Sequence, residues 1–217
     1  MVIIFDFDGT IHDTMRIYKP AFEKGYKFLL ENTDFEKRPM SDKDMSNFLG
    51  YTTTQMWEIF APELDNGIKH KASVIIGSTM DELTKEGKAR LFDTVPEVLE
   101  KLSKEHTLAF LSNCRTSYKD MHRKVFGLDR YFKHYYWAEK YPGLPKYEIF
   151  SQVIKKELGD QKYVMVGDRH HDIEVGTKNH IDTIGCLYGF AREHEIDDAT
   201  YFAKKPLDIL DIIEKIK

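Results

Sequence analysis

The chain has 217 residues, of which 41% are hydrophobic and 13% aromatic, so it can bury a core large enough for one domain or for one domain with an insert. The formal net charge is -4, and this absence of a basic excess argues against a nucleic-acid-binding protein. Cys114 and Cys186 lie far apart and predict neither a disulfide framework nor a zinc site. We find no signal peptide and no apolar run of the ~20 residues that a membrane span needs, so we expect a cytoplasmic protein with no membrane partner.

The first predicted element is a buried strand, Val2 to Phe7, that delivers two carboxylates into a glycine turn within the sequence DFDGT. Residues i and i+2 of a strand share a face, so Asp6 and Asp8 should start on one side, and Gly9 allows a sharp turn after them. Two carboxylates held close together repel unless a cation or a proton relieves them. Because the motif contains no Cys or His, its hard oxygen ligands favour Mg²⁺ over zinc.

A helical segment follows this strand. Between Ile11 and roughly Leu91 the pattern indicates helices, including Thr53 to Phe60 and Gly67 to Lys88, although Val74 to Ile76 could instead form a strand. We therefore predict that residues 15–88 form a small helical domain, inserted into a larger domain of residues 1–14 and 89–217.

Short apolar runs then alternate with amphipathic stretches. The predicted strands are Thr107 to Leu111, His134 to Ala138, Tyr163 to Val166 and Thr183 to Leu187. Such alternation predicts an α/β fold with a doubly wound parallel sheet and helices on both faces. Ligands bind such sheets at the carboxyl ends of the strands.

Polar side chains of a consistent kind follow these strands. Ser112 and Asn113 come directly after one, Asp168 and Asp172 come after another, and Lys146 precedes a predicted helix. With the first two carboxylates they form an ordered set that is far more specific than any one motif.

This set resembles the four motifs of haloacid dehalogenase superfamily phosphatases. The matching residues are Asp6, Asp8, Ser112, Lys146, Asp168 and Asp172. The resemblance implies a Rossmann-like core and identifies residues ~15 to ~88 with the helical C1 cap of that family. The sequence from Gly167 to Ile173 is similar to the phosphoglycolate-phosphatase-like branch.

The resemblance also implies a role for each residue. Asp6 is expected to be the nucleophile that forms an aspartyl-phosphate, and Asp8 the general acid and base. Mg²⁺ would be held by Asp6, the backbone carbonyl of Asp8 and Asp168. Asp172 would orient metal-bound water or the active-site lysine.

Phosphate would be bound by Ser112, Asn113 and Lys146. Many relatives place the lysine in a Lys-Pro pair, which this chain lacks, so Lys140 is a rival. We prefer Lys146 because it immediately precedes an apolar helix pattern, where a helix N-terminus faces the ligand.

Four further residues are candidates for contact with the substrate: His12, Arg16, Gly50 and Thr52. The first two follow the nucleophile loop, and the last two resemble the family's cap specificity loop. The alternatives are simple surface residues and a helix N-cap. His170 and His171 are expected to point apart, as a solvated or hydrogen-bonded pair.

Together these features predict a magnesium-dependent phosphatase, a monomer or weak dimer, that hydrolyses a small phosphate ester. A mutase of the β-phosphoglucomutase type shares the same nucleophile, acid and metal and remains an alternative. A second alternative is a phosphate-binding regulatory module without turnover. The substrate itself depends on cap side chains that the sequence does not place.

Overall fold

The computed structural model describes residues 1–216, which divide into two compact units. One unit combines Met1–Asp13 with the chain from Leu91 onwards, and the other is Thr14–Arg90. The first unit is built on a six-stranded sheet, whereas the second contains only helices and the loops between them. No helix among the described residues has both the length and the apolar character that crossing a membrane requires.

All six strands are parallel and run in the spatial order β3-β2-β1-β4-β5-β6. The strands are β1 (Val2–Phe5), β2 (Thr107–Ser112), β3 (Phe132–Trp137), β4 (Tyr163–Gly167), β5 (Asp182–Cys186) and β6 (Tyr201–Ala203). The central strands β1 and β4 are buried along their whole length, as expected for a sheet covered on both faces. The predicted Rossmann-like α/β architecture is confirmed.

Of the α-helices in the described residues, the first four make up the second unit, and the other six belong to the unit that contains the sheet. In chain order they are α1 (Met15–Asn32), α2 (Asp42–Ser46), α3 (Thr53–Phe60), α4 (Asn66–Lys85), α5 (Val95–Glu105), α6 (Thr116–Val125), α7 (Lys146–Ile149), α8 (Lys155–Leu158), α9 (His170–Asn179) and α10 (Asp208–Ile216). A π-helical stretch, Phe150–Ile154, joins α7 to α8.

The predicted strand boundaries differ from the observed ones by one or two residues, and one strand was missed. β3 ends at Trp137 because Ala138 begins a short 3₁₀ turn. β6 has only three residues, and the side chain of Phe202 within it is 43% exposed. So short an edge strand has no alternation for sequence reasoning to detect.

The core on one face of the sheet positions the strand ends. Ile4 of β1 and Met165 of β4 pack in one cluster with Phe150, and all three are buried. α9 approaches the sheet closely at Gly176, where an added Cβ would lie 2.1 Å from Cγ2 of Thr183. A larger side chain there would push α9, and the residues at its N-terminus, away from the sheet.

The second unit packs α1 against α4 through a small residue. A Cβ at Gly25 of α1 would lie 2.5 Å from Cγ1 of Ile76 of α4, so the glycine permits this approach. The alternative strand at Val74 to Ile76 is wrong, because these residues lie inside α4. Their burial follows the helical period: Ala72 and Ile76 are buried, whereas Val74 is exposed.

Candidate active site

Three buried polar residues stand at the carboxyl ends of the central strands. β1 pairs in register with β2 and β4, so the carboxyl ends of these strands are level. Asp6 follows β1, Ser112 is the last residue of β2, and Asp168 follows β4; all three are buried. Asn113, the next residue after β2, is half-buried.

Lys146 lies between two of the carboxylates. Its Nζ is 2.7 Å from Oδ1 of Asp6 and 2.7 Å from Oδ1 of Asp172, and all three side chains are buried. Burial alone would lower the pKa of Lys146, but the two carboxylates raise it above its usual value. The side chain is therefore an ammonium, and it begins α7 immediately after Pro145. The ammonium of Lys140, in contrast, lies 5.3 Å from the ring centroid of Trp137.

Asp168 is held by two donors from distant loops. Its Oδ1 accepts a hydrogen bond from the Thr10 hydroxyl at 3.1 Å, and its Oδ2 accepts one from the Phe190 backbone N–H at 2.7 Å. Burial and the nearby Asp172 raise the pKa of Asp168 to about 7. Burial also raises the pKa of Asp6 well above its usual value, with Asp172 and Asp168 adding to the effect and Lys146 opposing it.

Gly9 allows the loop after β1 to reach this cluster. Its φ is +84°, a left-handed conformation that favours glycine, and an added Cβ would lie 2.2 Å from Oδ2 of Asp168. The backbone of the loop therefore approaches the carboxylate more closely than any side chain would permit.

Asp8 has different surroundings from Asp6. Its Oδ1 accepts a hydrogen bond from the Tyr118 hydroxyl at 2.7 Å and lies 3.3 Å from Nδ1 of His12. Its side chain is 17% exposed, whereas that of Asp6 is 2% exposed. The two acids of the motif thus differ in both partners and access.

Comparisons with known proteins identify the family of this chain. Residues 3–186 match the family model described as haloacid dehalogenase-like hydrolase. A 5'-nucleotidase from Pseudomonas aeruginosa is 26% identical in an alignment 204 positions long that covers 89% of this chain and 86% of that protein. The chain belongs to the haloacid dehalogenase-like hydrolase family. The family resemblance predicted from the motifs, and the prediction of an enzyme of this family, are confirmed.

Solved structures share the fold of this haloacid dehalogenase-like hydrolase. A predicted phosphoglycolate phosphatase from Haemophilus somnus superposes with a TM-score of 0.82 at 19% identity, covering 98% of this chain and 97% of that one. A haloacid dehalogenase-like family protein from Streptococcus pneumoniae gives a TM-score of 0.78 at 22% identity, with the same coverage. At these identities the likeness concerns the fold.

The carboxylates of this hydrolase form a group that suits a divalent cation. One oxygen from each of Asp6, Asp168 and Asp172 lies within 4.8 Å of the others, and all three residues are buried. When all three are ionised, these carboxylates and the single ammonium of Lys146 carry two net negative charges, which a divalent cation would balance. Hard oxygen donors with this charge fit Mg²⁺ better than a softer metal.

Asp172 also organises the start of α9. Its Oδ1 accepts the hydrogen bond from Lys146, and its Oδ2 accepts one from the Arg169 backbone N–H at 3.0 Å. Both oxygens are thus engaged with neighbouring protein groups, which suits the orienting role that the resemblance implies for this residue.

His170 and His171 open α9 but do not point apart as expected. Their ring centroids are 3.7 Å apart at an interplanar angle of 45°, so the two rings are in contact. Nδ1 of His170 is 3.0 Å from Oε1 of Glu195, which also accepts a hydrogen bond from Nε of the buried Arg169 at 2.8 Å. Burial alone would raise the pKa of Glu195, but hydrogen bonds from His170 and the Arg192 N–H lower it to about 2.

The residues predicted to contact substrate lie in both units. His12 is fully buried beside Asp8 in the sheet-containing unit. Arg16, Gly50 and Thr52 belong to the helical unit, where Arg16 is exposed and Thr52 forms a capping box with Gln55 at the start of α3. For Thr52, the helix-cap alternative is therefore present in the structure, and its contact with substrate stays a prediction.

Sequence reasoning missed three contributors to the site: Thr10, Tyr118 and the backbone N–H of Phe190. Tyr118 is 110 positions from Asp8 in the chain and lies inside a helix. A tyrosine in that setting has no local signal that separates it from a core residue. Thr10 was within reach, because it stands beside the nucleophile motif.

Proposed function

We propose that this protein is a magnesium-dependent phosphatase that hydrolyses a small phosphomonoester through an aspartyl-phosphate on Asp6. The observation that carries the proposal is the buried group of Asp6, Lys146, Asp168 and Asp172 at the carboxyl ends of the central strands. A buried nucleophile flanked by an ammonium and further carboxylates is an arrangement that positions phosphate and neutralises its charge.

The reaction takes two displacements at phosphorus. An oxygen of Asp6 attacks phosphorus, the bond to the ester oxygen breaks, and Asp8 gives its proton to the leaving alkoxide. Asp8 then takes a proton from a water molecule, whose oxygen attacks the phosphorus of the aspartyl-phosphate. Inorganic phosphate leaves, and Asp6 returns to its carboxylate form.

Three residues are assigned to the phosphate oxygens. Ser112 and Asn113 stand at the end of β2, which pairs with the strand that Asp6 follows, and the Nζ of Lys146 lies 2.7 Å from Oδ1 of the nucleophile. The position of Lys140 beside the Trp137 ring supports Lys146 as the active-site lysine. Asp172 holds the Lys146 ammonium in place through a bond of 2.7 Å.

Mg²⁺ is the metal that we assign to the carboxylate group, with Asp6, Asp168 and the backbone carbonyl of Asp8 as ligands. When bound, it supplies charge that lets the anionic nucleophile approach the anionic phosphate. Thr10 and the Phe190 N–H hold Asp168 in position for this role.

The helical unit, Thr14–Arg90, is assigned as the cap that selects the substrate, with Arg16, Gly50 and Thr52 as its candidate contacts. Two of the relatives are named as a 5'-nucleotidase and a predicted phosphoglycolate phosphatase. A substrate panel should therefore contain nucleoside monophosphates, phosphoglycolate and sugar phosphates. Release of phosphate, rather than isomerisation of a sugar phosphate, separates a phosphatase from a mutase.

Replacement of Asp6 by Asn tests the mechanism. We expect kcat on the best substrate of the panel to fall by about a thousandfold or more, because an amide cannot attack phosphorus as a carboxylate does. Asp160→Asn is the matched control, since the Asp160 side chain is 98% exposed. An Asp6→Asn protein that is folded and turns over at the wild-type rate would contradict the proposal.

A further inference from the structure

Two side chains converge on one oxygen of Asp8. The Tyr118 hydroxyl lies 2.7 Å from Oδ1 of Asp8, and Nδ1 of His12 lies 3.3 Å from the same oxygen. The two partners also meet each other, because Nδ1 of His12 is 3.2 Å from the Tyr118 hydroxyl oxygen. All three residues belong to the sheet-containing unit, and both partners are buried.

Aromatic packing fixes this pair. The His12 ring stacks on Phe7 with centroids 5.0 Å apart and an interplanar angle of 19°. The ring of His122 packs against both partners, at 4.9 Å from His12 and 4.0 Å from Tyr118. Burial, with a contribution from His12, lowers the pKa of His122 to about 4, so this supporting ring is neutral at physiological pH. Aromatic rings, one of them the neutral His122, therefore pack against both partners of Asp8.

The hydrogen atoms of this triangle can be assigned from the donor and acceptor roles. A carboxylate oxygen only accepts, so the single O–H of Tyr118 points at Oδ1 of Asp8. With Asp8 ionised, the Tyr118 oxygen then presents its lone pairs to His12, and Nδ1 of His12 faces two acceptors, so we assign the hydrogen to Nδ1. Both donors thus point toward the same side of the Asp8 carboxyl group.

We propose that Tyr118 and His12 are positioning residues that place the catalytic proton of Asp8 on Oδ2. A proton on Oδ1 would compete with the hydrogens that Tyr118 and His12 direct at that oxygen. A proton on Oδ2 leaves both of these hydrogen bonds intact. The acid then donates from one defined oxygen, in one orientation, to the leaving group. This inference rests on the proposed function, in which Asp8 is the general acid, and it reassigns His12 from substrate contact to support of that acid.

The choice of leaving group tests the proposal, because only a poor leaving group needs the acid. An alkyl phosphate releases a strongly basic alkoxide that must be protonated, whereas p-nitrophenyl phosphate releases a weakly basic phenolate. The measured quantity is kcat/KM, which reports steps up to cleavage of the ester bond and not hydrolysis of the aspartyl-phosphate. The alkyl substrate is the best one in the panel above.

Tyr118→Phe keeps the ring packing and removes only the hydroxyl. We expect kcat/KM for the alkyl phosphate to fall by roughly tenfold to a hundredfold, with little change for p-nitrophenyl phosphate. Tyr135→Phe is the matched control: it removes a hydroxyl that donates to the exposed Asp129, and it should change neither value.

A second pair of variants tests His12. His12→Asn can place an amide N–H near the position of Nδ1, whereas His12→Leu cannot, so Asn should retain more activity on the alkyl phosphate than Leu does. A structural effect alone would lower both substrates together in both variants. Equal losses on the two substrates, or no loss in Tyr118→Phe, would overturn the proposal.

Asp8→Ala separates failure of this inference from failure of the proposed function. If Asp8→Ala selectively loses the alkyl phosphate but Tyr118→Phe does not, Asp8 is the acid and only the positioning role is wrong. If Asp8→Ala affects both substrates alike, Asp8 is not the acid, and the proposed mechanism fails together with the inference.

Discussion

Asp6 and Asp8 stand two residues apart, and the contacts described for their side chains differ in kind. Asp6 lies among charges, with the Lys146 ammonium at 2.7 Å and Asp172 bound to the same ammonium. Asp8 lies beside a neutral hydroxyl, that of Tyr118. An ammonium strongly favours the ionised form of a carboxyl group, whereas a neutral donor imposes a weaker preference. Burial and the neighbouring carboxylates still raise the pKa of Asp6, and the ammonium opposes them. A nucleophile must be ionised, so the ammonium and the assigned Mg²⁺ serve Asp6, whereas an acid must exchange its proton, which a neutral partner permits.

Among changes to the surroundings of the two acids, the largest effect is expected when the charge beside Asp6 is removed. Lys146→Met should lower kcat by about a hundredfold to a thousandfold, because one positive partner of the nucleophile and phosphate is lost. The loss should be the same for alkyl and aryl phosphates, unlike that of Tyr118→Phe, because the ammonium acts on the phosphate and not on the leaving group. Steady-state assays on both substrates check this.

Lys140→Met is the matched control for that experiment, since Lys140 lies beside Trp137 and outside the carboxylate group. It should leave kcat almost unchanged. A large loss at Lys140 combined with a small loss at Lys146 would assign the active-site lysine to Lys140 instead.

Acid should protonate the neutral His122 ring, which packs against both Tyr118 and His12. The pKa of His122 is lowered from 6.5 to about 4 by burial, so the unfolded chain takes up a proton at this residue before the folded protein does. Its contribution to the free energy of unfolding should therefore fall as the pH drops from about 6.5 to about 4, by roughly 3 kcal/mol in total. Urea unfolding of wild type and His122→Phe over this pH range measures it.

His122→Phe keeps a ring in contact with Tyr118 and lacks the titrating group. The difference in unfolding free energy between the two proteins should change across this range, with the wild type losing more. A constant difference would show that His122 titrates normally in the folded protein.

A smaller effect is expected from the metal. Mg²⁺ that binds only the folded protein should stabilise it by about 2.7 kcal/mol when its free concentration is about 100 times its Kd. Thermal unfolding with Mg²⁺, and again after chelation, measures this shift. Asp168→Asn should reduce the shift, because it removes one of the three grouped carboxylates. An equal shift in this variant would place the bound metal elsewhere.

Much of the candidate site could be predicted because its residues stand at strand ends, which local sequence patterns reveal. Asp6 and Asp8 follow an apolar strand within one motif, and Ser112 and Asp168 stand at the ends of two more strands. Parallel strands bring such positions to one edge of the sheet, whatever the loops between them do. Predicting the residues at the strand ends required only this rule and the family resemblance.

Residues that act across the fold were harder to predict. The structural support for Lys146 over Lys140 depends on which side chain reaches Asp172, a residue 26 positions further along the chain than Lys146. Helix and loop geometry decides that reach, and local propensity carries no information about it. The same reason explains why the Phe190 N–H, which binds Asp168, was missed.

The sequence by itself determined the sheet, the order of the motif residues and the membership of the family, because apolar periodicity and motif spacing are properties of neighbouring residues. Only the tertiary structure decided the surroundings of the two acids. His12 looked like a residue near the substrate, yet the fold buries it with Tyr118 against Asp8. Burial and contact between distant segments arise when the helices pack on the sheet, so the environment of Asp8 became visible only in the folded protein.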